Sequence, residues 1–278
     1  MRFTPNPVLM REARVRMRGW RAPGLITLYV GVMGLVAWLI VVIANQSGPA
    51  FAPEMGGIIF GTLSWVQFVL LCFAAPGLTA GAISGERERQ TLDLLLVTRM
   101  SALQVVVGKL GAAVAFLLLL MVASLPVYGL LFLLGGIALT NLVLTTIIYV
   151  VTVFLLGALG LYFSAVFKRT QAAVITTYGI LIGWTALTLI FSMLIMYVFY
   201  RPGLPPSWVV LLGYVNPIVG LSAAMGQPMG SVTELYRVIL NSPAAQQAIW
   251  WKYSLFAVAG TAVLIWLTAR KIRPFQAH

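Results

Sequence analysis

Residues 84–101 read SGERERQTLDLLLVTRMS. This polar island lies between two apolar runs, 56–83 and 103–134. Each run is long enough to cross a bilayer, which takes roughly 20 residues of helix. The island holds Glu86, Glu88 and Asp93, half of the six acids in the chain. Acids contribute little to the orientation of membrane helices, so their gathering here marks a surface presented to a soluble partner. The run Leu92, Leu94, Leu95, Leu96, Val97 is too apolar for a free loop, and an ordinary solvated loop would leave it unexplained. Thr91 is placed to cap a short helix running to Thr98, and Gly85 to end the preceding span. Ser101 then caps the next span, with Gln104 completing an S-A-L-Q capping box. The expectation is a short transverse helix pinned between two membrane helices. Its leucines would suit a groove on another protein, with Glu86, Arg87, Glu88, Arg89 and Asp93 as the polar rim.

The rest of the chain repeats this alternation. Of its 278 residues, 61% are hydrophobic and 9% are charged. Soluble domains carry about 25% charge, so the composition is that of an all-α integral membrane protein. Six apolar runs are long enough to span: 24–45, 56–83, 103–134, 142–166, 172–199 and 250–269. With both termini in the cytoplasm, fifteen of the eighteen cations fall in cytoplasmic segments, and only Arg201, Arg237 and Lys252 fall outside. That is the positive-inside asymmetry, and it accounts for the net charge of +12 without nucleic acid. Six arginines precede the first run, Leu25 to Ala44. A cleaved signal peptide has an apolar core of about 7–15 residues, so this run reads as a retained span. Cleavage near Ala50 and Ala52 is the alternative.

Segment 201–249 is ambiguous. Residues 207–225 are apolar enough for a seventh span, yet Gly213 and Asn216-Pro217 break them. The reading preferred is a re-entrant or interfacial helical hairpin on the outer face, followed by Ser242-Pro243 as the start of the last span. Pro76 and Pro126 are expected to kink the second and third spans. Gly77, Gly81 and Gly85 form a small-residue ladder, repeated at Gly57/Gly61 and Gly179/Gly183, of the kind that lets helices approach closely. At the N-terminus, Asn6-Pro7 opens an amphipathic helix over 5–20. It sets Leu9, Ala13, Met17 and Trp20 on one face and Arg11, Arg14 and Arg18 on another, as an interfacial helix does. Such a helix is either a topogenic anchor or also a brace touching a partner.

Several functions are excluded or disfavoured. One cysteine, Cys72, and one histidine, His278, leave no disulfide, metal cluster or His-based triad. No Asp or Glu lies within a span, and Lys109 is near enough to a cytoplasmic end to snorkel. Intramembrane acids usually mark ion relays, so a proton-driven transporter is disfavoured, and so is an intramembrane enzyme. No GxxxxGK[ST] loop is present, so energy for uphill movement must come from another chain. Gln67, Thr145, Tyr149, Thr152, Thr185, Thr188 and Ser192 could line a polar path, although hydroxyls in spans commonly bond their own backbone. The apolar walls suit a lipid, hydrophobic peptide or drug-like cargo better than a free ion.

The pattern resembles the type-2 ATP-binding-cassette (ABC) exporter permeases. The matching residues are Asn6-Pro7-Val8-Leu9, Gly85-Glu86-Arg87-Glu88, Thr91-Leu92-Asp93-Leu94-Leu95, Gly108-Lys109-Leu110 and Asn216-Pro217. Two positions depart from it: Gln90 stands where Gly is frequent, and Arg99 where Pro commonly follows the Thr. The resemblance implies one transmembrane domain over 1–278, with interfacial helix 5–20, coupling loop 84–101 and outer hairpin 201–249. It implies a non-catalytic subunit in the plasma (inner) membrane, without a cofactor of its own. ATP and Mg would be bound by a cytoplasmic ABC ATPase docked on Glu86, Arg87, Glu88, Arg89, Thr91, Leu92, Asp93, Leu94 and Leu95. A second permease subunit, identical or related, and membrane lipid would complete its surroundings. The alternative is a membrane scaffold or sensor subunit that binds an ATPase without transporting a substrate.

Overall fold

A computed structural model of the chain describes residues 9–12, 19–47, 53–90, 101–134, 138–199, 211–226 and 243–272. Among these residues every regular element is an α-helix. In chain order they are α1 (Arg21–Ser47), α2 (Pro53–Thr79), α3 (Ser84–Glu88), α4 (Ala102–Leu134), α5 (Leu139–Val166), α6 (Thr170–Phe199), α7 (Pro217–Met225) and α8 (Pro243–Ile272). Six stretches are long and apolar enough to cross a membrane: Ala22–Ile43, Gly56–Glu88, Ala102–Gly129, Leu139–Val166, Thr170–Ser192 and Ile249–Ile272. They follow the six apolar runs of the sequence. In lipid a backbone must satisfy its own hydrogen bonds, and a helix does so within one segment.

The bundle is organised around α5, which packs on α2, α4, α6, α7 and α8. Ile148, Leu156 and Leu161 of α5 are wholly buried, together with Leu63 of α2, Leu117 of α4 and Tyr253 of α8. By contrast α1 lies mainly against α2 and α4 and exposes Leu28, Leu35 and Trp38. Helix α6 exposes Ile175, Ile182, Leu187 and Val198. In a bilayer such faces meet lipid or another subunit.

The glycine ladder works where α2 meets α6. A Cβ on Gly77 would come within 3.0 Å of the Tyr178 hydroxyl, and one on Gly81 within 3.0 Å of the Thr170 methyl. Gly160 of α5 is tighter, since a Cβ there would collide with the Thr79 hydroxyl and approach the Ala80 amide to 3.1 Å. Gly61, Gly179 and Gly183 face open space, so this chain does not use them for packing.

Two sequence expectations change. Gly85 does not end the second span: α2 stops at Thr79, a turn covers 80–83, and Gly85 lies inside α3. The turn is held by the Ser164 hydroxyl, which accepts from the amides of Ile83 and Ser84, both at 2.9 Å. Lys109 does not snorkel, as it is 3% exposed. Helix α7, nine residues long, is too short to cross the roughly 30 Å hydrocarbon core. The expected capping box is present: Gln104 N donates to Ser101 Oγ at 3.2 Å, and Ser101 N to Gln104 Oε1 at 3.0 Å. The transverse helix over 91–98, Arg99, and most of the segments 5–20 and 201–249 lie outside the described residues.

Candidate functional site

The GERE motif builds the site, and each of its charged residues serves a different helix. Glu86 Oε1 accepts from Lys109 Nζ of α4 at 2.6 Å. Lys109 also donates to Glu12 Oε1 at 3.2 Å, so two of the six acids converge on one buried cation. Arg87 donates through Nη1 to the Phe167 carbonyl and through Nη2 to the Ala165 carbonyl, both at 3.3 Å. These carbonyls belong to the C-terminal end of α5, where backbone oxygens lack helical partners and the dipole favours a cation. Glu88 does the reverse at the start of α6. Its Oε1 accepts from Thr170 N and its Oε2 from Thr170 Oγ1, each at 2.9 Å. That is an anion at a helix N-terminus, supplied from outside the helix.

Beneath these charges lies a buried hydroxyl cluster. Ser84 Oγ is 3.1 Å from Ser164 Oγ and 3.3 Å from Thr170 Oγ1, and both serines are fully buried. The turn 80–83 and α3 are thereby tied to α4, α5 and α6 at one end of the bundle. The N-terminal segment joins the same end through Glu12 and through Leu9, whose Cδ1 would lie 2.8 Å from a Cβ on Gly111. Residues 9–12 are helical, Arg11 is exposed, and Trp20 is 91% exposed beside α1. Arg14 and Arg18 lie outside the described residues.

The turn 80–83 and α3, with these ties, form an elbow, and after it the chain turns sharply. Gln90 has φ 56°, in the left-handed region that glycine adopts most easily. This gives a backbone reason for Gly at this position in the family that the sequence resembles. Arg89 is exposed at the turn, and Thr91, Leu92, Asp93, Leu94 and Leu95 lie beyond the described residues.

A second polar station stands at the opposite end. Asn216 caps α7 with Oδ1, accepting from Ile218 N at 2.8 Å, and Pro217 occupies the first turn. Its Nδ2 donates to Thr188 Oγ1 at 2.6 Å and to the Thr185 carbonyl at 3.2 Å, both on α6. Helix α7 is buried from Val219 to Met225, and Gly220 lets it sit on the Tyr253 ring of α8.

Residues 27–270 match a known family, ABC-2 family transporter protein. The chain belongs to this family. No curated protein matches it. It is thus a multi-pass membrane protein of the ABC-2 type, and the family implies an ABC transporter system whose ATPase is a separate cytoplasmic partner. In this ABC-2 permease the matched region begins inside α1, so Glu12 and Leu9 lie outside it. Sequence reasoning missed Glu12, Lys109, Ser164 and Thr170 as members of the elbow. The available signal was Lys109, a cation nearly two turns inside an apolar span, which needs a carboxylate if it is not to reach water.

Proposed function

We propose that this chain is the permease half of an ABC exporter in the plasma membrane, with both termini cytoplasmic. A second permease subunit and two cytoplasmic ATPase subunits, which bind ATP and Mg, would complete the transporter. The observation that carries this reading is the elbow. Glu86, Arg87 and Glu88 tie α3 to three membrane helices, so a load applied just beyond Gln90 reaches α4, α5 and α6 together. A coupling helix over 91–98 is then a handle on a stiff base. Leu92, Leu94 and Leu95 enter the groove of the ATPase, with Arg89 and Asp93 at its rim. Glu86 and Glu88 serve the lever from inside, whatever further contact their exposed edges make with the ATPase. ATP-driven approach of the ATPases tilts the two permeases as rigid bodies. The N-terminal segment acts as an interfacial brace, α7 belongs to a re-entrant outer hairpin, and residues 1–278 form one transmembrane domain.

The test is a photo-crosslinking residue at position 93 in the complex purified from membranes. An ATP-hydrolysing subunit should be captured, and Leu94→Asp should abolish ATP-driven flux in vesicles while the protein keeps its thermal transition. A folded Leu94→Asp protein with normal flux would overturn the coupling assignment. ATPase capture without flux of any cargo would favour the scaffold alternative.

A further inference from the structure

Hydroxyls in the membrane helices mostly bond their own backbone. Thr79, Thr146, Thr177, Thr188, Thr261 and Thr268 each donate to the carbonyl four residues earlier. A small group does not. Among the described residues Thr145 Oγ1 and Gln67 Oε1 are buried without a hydrogen-bond partner, whereas the Tyr128 hydroxyl neighbours those of Ser64 and Tyr149, and the Tyr29 hydroxyl that of Ser124. In lipid, where no bulk water reaches them, such atoms are costly.

These atoms are not scattered. Gln67, Tyr128 and Thr145, which are 2%, 5% and 1% exposed, line one cavity of about 110 Å³ between α2, α4 and α5. Ser64 and Tyr29 adjoin Tyr128 behind the wall. Tyr149, also in the lining, donates to the Ser64 carbonyl at 2.8 Å and holds that wall in place. No charged side chain lines the cavity. Its mouth is flanked by Val122 and Leu125, which are 59% and 48% exposed on the outer face of α4. The cavity therefore opens sideways, onto a face of α4 that this chain leaves uncovered. It lies roughly 25 Å along α2 from the elbow, at 1.5 Å per residue between Gln67 and Ser84.

We propose that this cavity binds the uncharged, hydroxyl- or amide-bearing head of an amphiphile that enters from the bilayer between α4 and α5. Gln67 Oε1 accepts a hydrogen bond from the head, and the Thr145 and Tyr128 hydroxyls donate or accept. The apolar tail lies along Val122 and Leu125. The volume holds roughly three or four water-sized groups, at about 30 Å³ each, which fits a head of a few heavy atoms. A charged head would enter without a counter-charge, which a dry site penalises heavily. The proposal rests on the membrane-spanning fold and not on coupling to an ATPase.

The test uses the full chain in phosphatidylcholine nanodiscs, with three diazirine-bearing probes of equal chain length: a monoacylglycerol, a plain alkane and a lysophosphatidic acid. The monoacylglycerol should label 118–128 and 142–150 about tenfold more than the alkane, the effect of one or two neutral hydrogen bonds in a dry site. Lysophosphatidic acid should not compete. Tyr128→Phe and Thr145→Val should reduce labelling to the alkane level. Thr145→Val removes an oxygen that has no partner among the described residues, so it should not lower the thermal transition of the empty protein, and the upward shift that monoacylglycerol gives should disappear. Equal labelling by the alkane, labels spread over all lipid-facing helices, or variants that label normally would overturn the site. Variants that unfold earlier with labelling intact would also overturn it, since the oxygens would then serve the fold through enclosed water. The assay contains no ATPase, so its failure leaves the transporter reading standing. A failed Leu94→Asp test likewise leaves this site standing.

Discussion

Lys109 is the residue on which the elbow assembly turns. A buried ammonium is tolerable only when paired and hydrogen-bonded, and here Glu86 and Glu12 supply both at 2.6 and 3.2 Å. Removing one partner from a buried pair costs about 3–5 kcal/mol. In Lys109→Met two carboxylates would face each other without their cation, but they are 21% and 28% exposed, which places the loss at the lower end of that range. We expect a clearly reduced thermal transition and rapid proteolysis of the N-terminal segment. Glu12→Gln is the informative contrast: it leaves the Glu86–Lys109 pair intact, so the transition should fall little while the segment is still cut faster. An unchanged transition in Lys109→Met would mean that apolar packing, with Leu9 against Gly111, holds this end by itself.

Among the elements, α7 shows how a short helix can be held without a long apolar face. Asn216 uses both ends of its amide, Oδ1 for its own helix and Nδ2 for α6. Asn216→Ala should lose the cap and the cross-tie, at least the ~1 kcal/mol typical of an N-cap, and leave the Thr185 carbonyl and Thr188 hydroxyl without this donor. Asn216→Asp keeps the cap but sets a wholly buried carboxylate oxygen against the Thr185 carbonyl, so its thermal transition should fall below that of alanine. If aspartate proved better than alanine, the cap on Ile218 would be the dominant bond. Such contacts mark the limit of what the sequence makes legible. The six crossings were readable because lipid demands uninterrupted apolar length, a property of composition over a window. The capping box at Ser101 was readable because its partners are three residues apart. The elbow was readable only as a concentration of charge. Glu88 meets Thr170 across 82 positions, and Arg87 meets Phe167 across 80. No periodicity reports which helix end a charge will cap, so Glu86, Arg87 and Glu88 read as outward-facing when they bond inward. The polar residues of the spans divided in the same way: Thr185, Thr188 and Ser192 bond back along α6, whereas Gln67, Thr145 and Tyr149 meet at one cavity.

At the scale of the whole molecule the question is whether elbow and bundle move as one body. Two cores can be distinguished along the axis: the charged and hydroxyl cluster at the elbow, and the polar cavity and α7 toward the other end. Helix α5 runs through both, from Thr145 at the cavity to Ser164 at the elbow, roughly 28 Å at 1.5 Å per residue. If the elbow is a rigid extension of α5, welding the two should not disturb transmission. The hydroxyls of Ser84 and Ser164 are 3.1 Å apart on buried, well-packed backbone, so cysteines there are within reach of a disulfide. In a Cys72→Ala background, which removes the single native thiol, Ser84→Cys with Ser164→Cys should oxidise readily. The oxidised and reduced proteins should then support the same ATP hydrolysis by the bound ATPase and the same flux. A hinge at the turn 80–83 predicts the opposite, with oxidation arresting flux and dithiothreitol restoring it. The rigid outcome is favoured because Ser164 already satisfies two amides of that turn. Opening it would leave both donors buried without partners, at about 1–3 kcal/mol each, in every transport cycle.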